Sequence, residues 1–238
     1  MTKILVIDDE RPTLGMFHLF LEKYGYEVLT AENGQEGLDI YETEKPPIIL
    51  TDIKMPGMDG IQVLSRIKEV NPLAEVIVIT GHGDMDLAIR ALNLDATDFI
   101  NKPIKKEELD AALQRAEERI RLAQNQEDEV RVQTQGQIMV IDVRGNVTSR
   151  SEAALLDAYR QAQGKGSGIL LRFSENASIN GAGIAILTQL LLDCRAKEIP
   201  TAVTGLSENF RRVFGIVGLA TLTEVFNSED EAIRSLNA

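Results

Sequence analysis

The chain has 238 residues, 44% of them hydrophobic, and carries 25 Lys+Arg against 37 Asp+Glu for a formal net charge of −12. Such apolar content supports packed cores and excludes a disordered chain, and the length suits one large or two ordinary domains. Through Ile120 there are 23 acidic and 13 basic residues, leaving 14 and 12 for the remainder. The asymmetry reads as two domains, and neither half has the basic stripe that a phosphate backbone requires, so nucleic acid is not an expected partner.

Strand-like and helix-like patterns alternate five times in the first half. Short runs rich in β-branched residues predict strands over Lys3–Ile7, Tyr26–Thr30, Ile48–Leu50, Glu75–Ile79 and Asp98–Ile100. Helical spacing predicts Thr13–Tyr24, Gly34–Glu42, Gly60–Glu69, Met85–Leu94 and a helix from Lys106 onward. The alternation implies an α/β fold with parallel strands, right-handed crossovers and helices on both sheet faces. In the last helix, Leu109, Leu113, Ala116, Ile120 and Ala123 follow the 4-3-4-3 spacing of a coiled-coil seam. Its first residues should pack on the sheet. Beyond about Arg119 two readings stay open, a homodimer through the 106–126 helix or a solvated spacer. The run Gln124–Glu129 is polar, lacks Gly and Pro, and reads as a junction.

The second domain should begin near Val130. Val130–Thr134 and Gln137–Val143 alternate around Gly136, a pattern of two strands and a turn. Ser151–Gln163 reads as a helix with Ser149 or Ser151 as N-cap, Ile169–Phe173 as a strand, Gly183–Lys197 as a helix and Thr201–Thr204 as a strand. Ser207–Ile216 and Glu229–Leu236 complete a second α/β unit. The expected divisions are 1–118, a helical linker over 119–129, and 130–238. Cys194 is the only cysteine, so no internal disulfide can form, and its helical spacing with Ile184, Leu187 and Leu191 places it in a core. No apolar stretch approaches a membrane span, and a soluble, cytoplasmic protein is expected.

Asp8 and Asp9, Asp52, Thr80 and Lys102 each follow one of the strand runs of the first domain. In an open α/β sheet the carboxyl ends of the strands line one crevice, where ligands bind. Carboxylates gathered there repel one another, and a hard divalent cation relieves this; Mg²⁺ suits few carboxylates, retained waters and a phosphoryl oxygen. A carboxylate so screened can attack phosphorus. Lys102 would neutralise the transferred group and Thr80 would donate a hydrogen bond to it. Taken singly these residues have ordinary readings: a turn, a solvated lysine, a sheet threonine. Their joint placement after consecutive strands is what points to a site. His82, two residues past Thr80, is read as a solvent-facing loop residue, with water positioning beside a phosphoryl group as the other reading.

Ile4-Leu-Val-Ile-Asp8-Asp9-Glu10, Asp52-Ile-Lys-Met-Pro-Gly-Met-Asp-Gly60, Ile79-Thr80-Gly81 and Phe99-Ile-Asn-Lys102-Pro103 resemble the receiver domain of two-component response regulators. The resemblance implies a flavodoxin-like, doubly wound, parallel five-stranded sheet of order 2-1-3-4-5. It implies Asp52 as phosphoacceptor, Asp9 as a direct Mg²⁺ ligand, Asp8 acting mainly through water, and the Lys54 backbone carbonyl as a further ligand. It implies a cis Lys102-Pro103 peptide and a switch in which Thr80 moves toward the phosphoryl group while Phe99 turns inward. Asp95 departs from the family, which usually ends that helix with glycine, at a cost of roughly 1 kcal/mol or less.

After Val130, the segments Val140-Ile-Asp-Val-Arg-Gly145, Gly168-Ile-Leu-Leu-Arg-Phe173, Ile179-Asn-Gly-Ala-Gly183 and Phe210–Leu219 resemble the STAS domain of anti-sigma-factor antagonists, an α/β fold with a mixed sheet. In that family a partner kinase phosphorylates the serine just before the glycine that corresponds to Gly183. Here the stretch reads Asn180, Gly181, Ala182, a degenerate phosphosite without a hydroxyl. Ser174 and Ser178 stand at the wrong offset. The resemblances together imply a response regulator phosphorylated by a histidine kinase, with no further enzymatic activity than self-phosphotransfer and slow autodephosphorylation. The STAS domain would act on an anti-sigma factor or related serine kinase, with a serine phosphatase or a STAS assembly as further partners. The alternative is a receiver-controlled STAS sensor of a small molecule or nucleotide.

Overall fold

A computed structural model describes residues 1–81, 83–125, 130–147, 151–162 and 168–237. The chain forms two compact units, Met1–Ile120 and Arg121–Ala238. In the first, β1 (Lys3–Ile7), β2 (Glu27–Ala31), β3 (Ile48–Asp52), β4 (Glu75–Thr80) and β5 (Asp98–Asn101) alternate with α1 (Arg11–Lys23), α2 (Gly34–Glu44), α3 (Gly60–Val70), α4 (Met85–Asn93) and α5 (Lys106–Asn125), whose last residues run past the boundary at Ile120. Every strand pair is parallel and the order is β2-β1-β3-β4-β5, as the resemblance implies. Continuous Ile, Leu and Val in β1, β3 and β4 are enclosed on both faces, which is why they lack the alternation of a half-solvated strand.

One core gathers Ile4, Phe17, Ile48, Ile77, Ile100 and their neighbours beneath Leu109, Ala112, Leu113 and Ala116 of α5, with Ile120 packed against it. The seam residues up to Ile120 are therefore spent on their own sheet, while Ala123 is exposed. Two of these helices begin where a side chain supplies a cap. Asn33 accepts from the Glu36 N–H, and Asp59 forms a capping box with Gln62. Asp95 ends α4 in the left-handed region at φ 66°, the conformation anticipated for it.

The second unit opens with an antiparallel hairpin of β6 (Val130–Gln135) and β7 (Ile138–Val143), turning at Gly136 with φ 63°. Then come β8 (Asn146–Val147), α6 (Glu152–Ala162), β9 (Gly168–Phe173), β10 (Ser178–Ile179), α7 (Gly181–Ala196), β11 (Thr201–Thr204), α8 (Glu208–Ile216), β12 (Glu224–Phe226) and α9 (Glu229–Leu236). The mixed sheet has the order β12-β11-β9-β7-β6, and β8 pairs with β10 in a separate two-stranded ladder. Helix α7 starts two residues earlier than its apolar spacing suggested, because the Asn180 side chain accepts from the Gly183 N–H and brings Gly181 and Ala182 into the first turn. Gly183 is obligatory: a Cβ there would collide with the Val147 carbonyl. Ser149 and His82 lie outside the described residues; the Ser151 hydroxyl donates to the Asn146 carbonyl at 3.0 Å. No helix among the described residues is long and apolar enough to cross a membrane.

Candidate functional site

The parallel sheet delivers Asp8 just beyond β1, Asp52 as the last residue of β3, Thr80 as the last of β4 and Lys102 just beyond β5. Asp8 and Asp52 are buried and Asp9 is exposed, and one carboxylate oxygen from each lies within 4.8 Å of the others. The Lys102 Nζ sits 3.2 Å from Asp52 Oδ2 and 3.5 Å from Asp8 Oδ2. The Glu10 backbone N–H donates to Asp8 Oδ1 at 2.8 Å. Gly60 allows α3 to start directly against the end of β3, since a Cβ there would overlap the Asp52 carbonyl.

Burial pushes the carboxyls of Asp8 and Asp52 above the usual carboxylate range, against the lowering pull of the Glu10 N–H on Asp8 and of Lys102 on both; Asp8 adds to the rise at Asp52. Burial alone would lower Lys102, but the Asp52 and Asp8 carboxylates outweigh it and raise it. The set is all hard oxygen donors, with two of them in an environment that penalises their negative charge. It fits Mg²⁺, which takes oxygen ligands and lifts that penalty.

The Thr80 hydroxyl donates to the Gly81 carbonyl at 3.1 Å, Phe99 is fully enclosed in β5, and the Lys102-Pro103 peptide is cis. Lys54 lies on the loop after β3, and its ammonium pairs with Asp84.

A family model for the response regulator receiver domain matches residues 4–114. The sporulation initiation phosphotransferase F of Bacillus subtilis is 34% identical over 113 residues, which make up 48% of this chain and 91% of that protein. The chain belongs to the response regulator receiver family. The alkaline phosphatase synthesis transcriptional regulatory protein PhoP of B. subtilis is 31% identical over 60% of this chain, which spans 59% of that protein's length; for the transcriptional regulatory protein GlrR of Escherichia coli the span is 39%. The receiver domain structure from Clostridium thermocellum is 41% identical, covers 52% of this chain and 99% of its own, and has a TM-score of 0.50. A second family model, described as Mlab, STAS domain, matches residues 130–224, so the receiver is followed by a STAS domain.

In the STAS domain, Asn180, Gly181 and Ala182 occupy the start of α7, with Asn180 serving as its cap and Ala182 exposed. Both upstream serines are engaged: the buried Ser178 hydroxyl donates to Asn146 Oδ1 at 3.1 Å, and Ser174 donates to the Arg144 carbonyl at 2.9 Å. The stretch Asn180–Gly183 therefore offers solvent no hydroxyl. Cys194 is enclosed, and burial pushes its thiol up to about 12.

Two groups of receiver residues escaped sequence reasoning. Glu75, at the start of β4, accepts from Thr97 at 2.6 Å and pairs with Arg119 Nε at 3.0 Å, while Asp95 pairs with Lys68 at 3.4 Å and Arg119 at 3.7 Å; Arg115 on α5 pairs with Asp98 at the start of β5. The Lys54–Asp84 pair joins the loops after β3 and β4. Charged residues at the amino ends of two enclosed strands were the available signal for the first group. For the second there was none.

Proposed function

We propose that this chain is a response regulator in which a histidine kinase phosphorylates Asp52 and the STAS domain passes the signal to a partner protein. The supporting observation is the Asp52 carboxylate at a strand end, 3.2 Å from the Lys102 ammonium and beside Asp8 and Asp9. The receiver would span 1–118, a helical linker 119–129 and the STAS domain 130–238.

An Asp52 carboxylate oxygen attacks phosphorus, a P–O bond forms, and the P–N bond to the kinase histidine breaks. The imidazole leaves with the electron pair of that bond, so an acyl phosphate stands on Asp52. Lys102, already against Asp52, moves its charge to the new phosphoryl oxygens. Thr80 gives up the Gly81 carbonyl and donates to the same group, with Phe99 filling space beside it. Asp8, Asp9, Asp52 and the Lys54 carbonyl would hold Mg²⁺, which when bound neutralises charge on the carboxylates and the phosphoryl group. Beyond this self-phosphotransfer and slow hydrolysis of the acyl phosphate, which returns the Asp52 carboxylate and releases inorganic phosphate, no further chemistry is assigned.

Ala182 removes the place where a phosphate would add charge at a helix N-terminus facing a partner. The STAS surface is accordingly always competent locally, and control resides at Asp52. The partner is an anti-sigma factor or related serine kinase, with a serine phosphatase or a STAS assembly as the other members of the pathway. A 100-fold change in partner affinity needs about 2.7 kcal/mol between the two receiver states. Capture with the full chain, followed by affinity measurement with and without phosphorylation at Asp52, tests this. Equal affinities in the two states would remove it.

A further inference from the structure

Helix α4, like α1 after Glu10, starts without a side-chain capping bond. Asn33, Asp59, Ser207 and Ser228 precede their helices with extended backbone, and each side chain accepts from a first-turn N–H. Asp84 holds the corresponding position before α4, with φ −90° and ψ 32°, and its side chain makes no capping bond. Aspartate is among the best capping residues, so this carboxylate is engaged elsewhere. The Lys54 ammonium lies 2.9 Å from its Oδ1 and 2.8 Å from its Oδ2. The ammonium thus faces both carboxylate oxygens, with the hydrogen bond to Oδ1.

The same carboxylate lies over Gly81. A Cβ at that position would come within 2.9 Å of Asp84 Oδ2, so a larger residue would make this carboxylate shift. The Gly81 carbonyl in turn accepts from the Thr80 hydroxyl at 3.1 Å and from the Asp84 N–H at 3.3 Å. One peptide unit thus links the residue assigned to meet the phosphoryl group with the residue that pairs to Lys54, two positions past Asp52. The Gly81 carbonyl is shared by the Thr80 hydroxyl and the Asp84 N–H.

We propose that the Lys54–Asp84 ion pair is a latch on the β4–α4 loop, and that Asp84 is a positioning residue with two alternative partners. In the latched state its carboxylate pairs with Lys54, and Thr80 stays on the Gly81 carbonyl. In the released state the carboxylate caps α4, and Thr80 is free to donate to the group on Asp52. The latch opposes engagement of the phosphoryl group, and capping returns part of what release costs. This rests on the reading of Asp52 as phosphoacceptor.

The test uses the full chain with Mg²⁺ and beryllofluoride, an analogue of a phosphoryl group on a carboxylate, and measures its dissociation constant by calorimetry. Asp84→Asn loses the ion pair but keeps a side chain that caps as well as aspartate. Lys54→Met loses the pair from the other side. A simple field effect would move them in opposite directions, because the first leaves an extra positive charge near an anion site and the second removes one. The latch makes both variants bind tighter, by roughly 1.5- to 5-fold for an exposed pair of this kind. Asp84→Ala, which loses latch and cap together, gains less than Asp84→Asn. Opposite shifts, or no shift in either variant, overturn the latch. Failure of the native chain to bind beryllofluoride, or equal binding by Asp52→Asn, removes the phosphoacceptor reading itself and the latch with it.

Discussion

Replacing Arg119 by methionine takes a cation out of a nearly enclosed cluster while keeping most of its volume. Arg119 is 8% exposed and Glu75 is 4% exposed, so the pair is held away from bulk water. Removing one member of a buried ion pair costs about 3–5 kcal/mol, because the other charge is left uncompensated. Here Thr97 still donates to Glu75 at 2.6 Å, and the field of Lys68 still reaches it. Those two remaining favourable interactions reduce the expected loss to about 2–4 kcal/mol, on the order of 10 °C in the receiver transition. Glu75→Gln combined with Arg119→Met removes the stranded charge and keeps an acceptor for Thr97, so at least half of the loss should return. Calorimetric melting gives the midpoint, and hydrogen exchange of peptides covering Glu75–Thr80 and Asp98–Asn101 assigns it to the receiver. A single variant melting with the native chain, or a double variant as damaged as the single, would refute the reasoning.

Three further outcomes are expected. Ala182→Asp places negative charge at the start of α7, where it favours the helix by about 0.3–1 kcal/mol, so melting should not fall while partner affinity drops at least roughly tenfold; unchanged affinity refutes the assigned surface. The raised Cys194 thiol makes the folded state hold a proton that the unfolded state releases from pH 9 upward, so its contribution to stability is present below pH 9 and lost as pH rises toward 12. A thiol reagent at pH 8 should accordingly label only denatured protein, and rapid labelling of the native chain would contradict the burial. Gly60→Ala drives a Cβ into the Asp52 carbonyl, and should cost about 1–3 kcal/mol in melting together with a fall in phosphorylation yield; native behaviour in both would show that the close approach is dispensable.

Much of the receiver was legible because its signals are local. Ile4–Ile7, Ile48–Leu50 and Val76–Ile79 are continuous apolar runs, and parallel strands buried on both faces require that pattern. Strand ends then converge by topology, so residues following each run could be placed at one edge without knowing any distance. The strands Asn146–Val147, Ser178–Ile179 and Glu224–Phe226 were not legible, since two or three residues show no period. Nor were the ion pairs. Glu75 and Arg119 stand 44 positions apart and Lys54 and Asp84 stand 30 apart, and charge type alone does not select partners among so many acidic and basic side chains. The seam of α5 shows a subtler limit, because a 4-3-4-3 stripe reads the same whether it meets a second helix or its own sheet. Leu109, Leu113 and Ala116 pack in the receiver core, as expected for the first residues of the helix.

The most direct test of the account is incubation of the purified chain with Mg²⁺ and acetyl phosphate, followed by intact-mass and peptide analysis. One phosphoryl group on Asp52, stable in acid, released in base and missing from Asp52→Asn, is the predicted result. No adduct on the native chain, or the same adduct on Asp52→Asn, would contradict it.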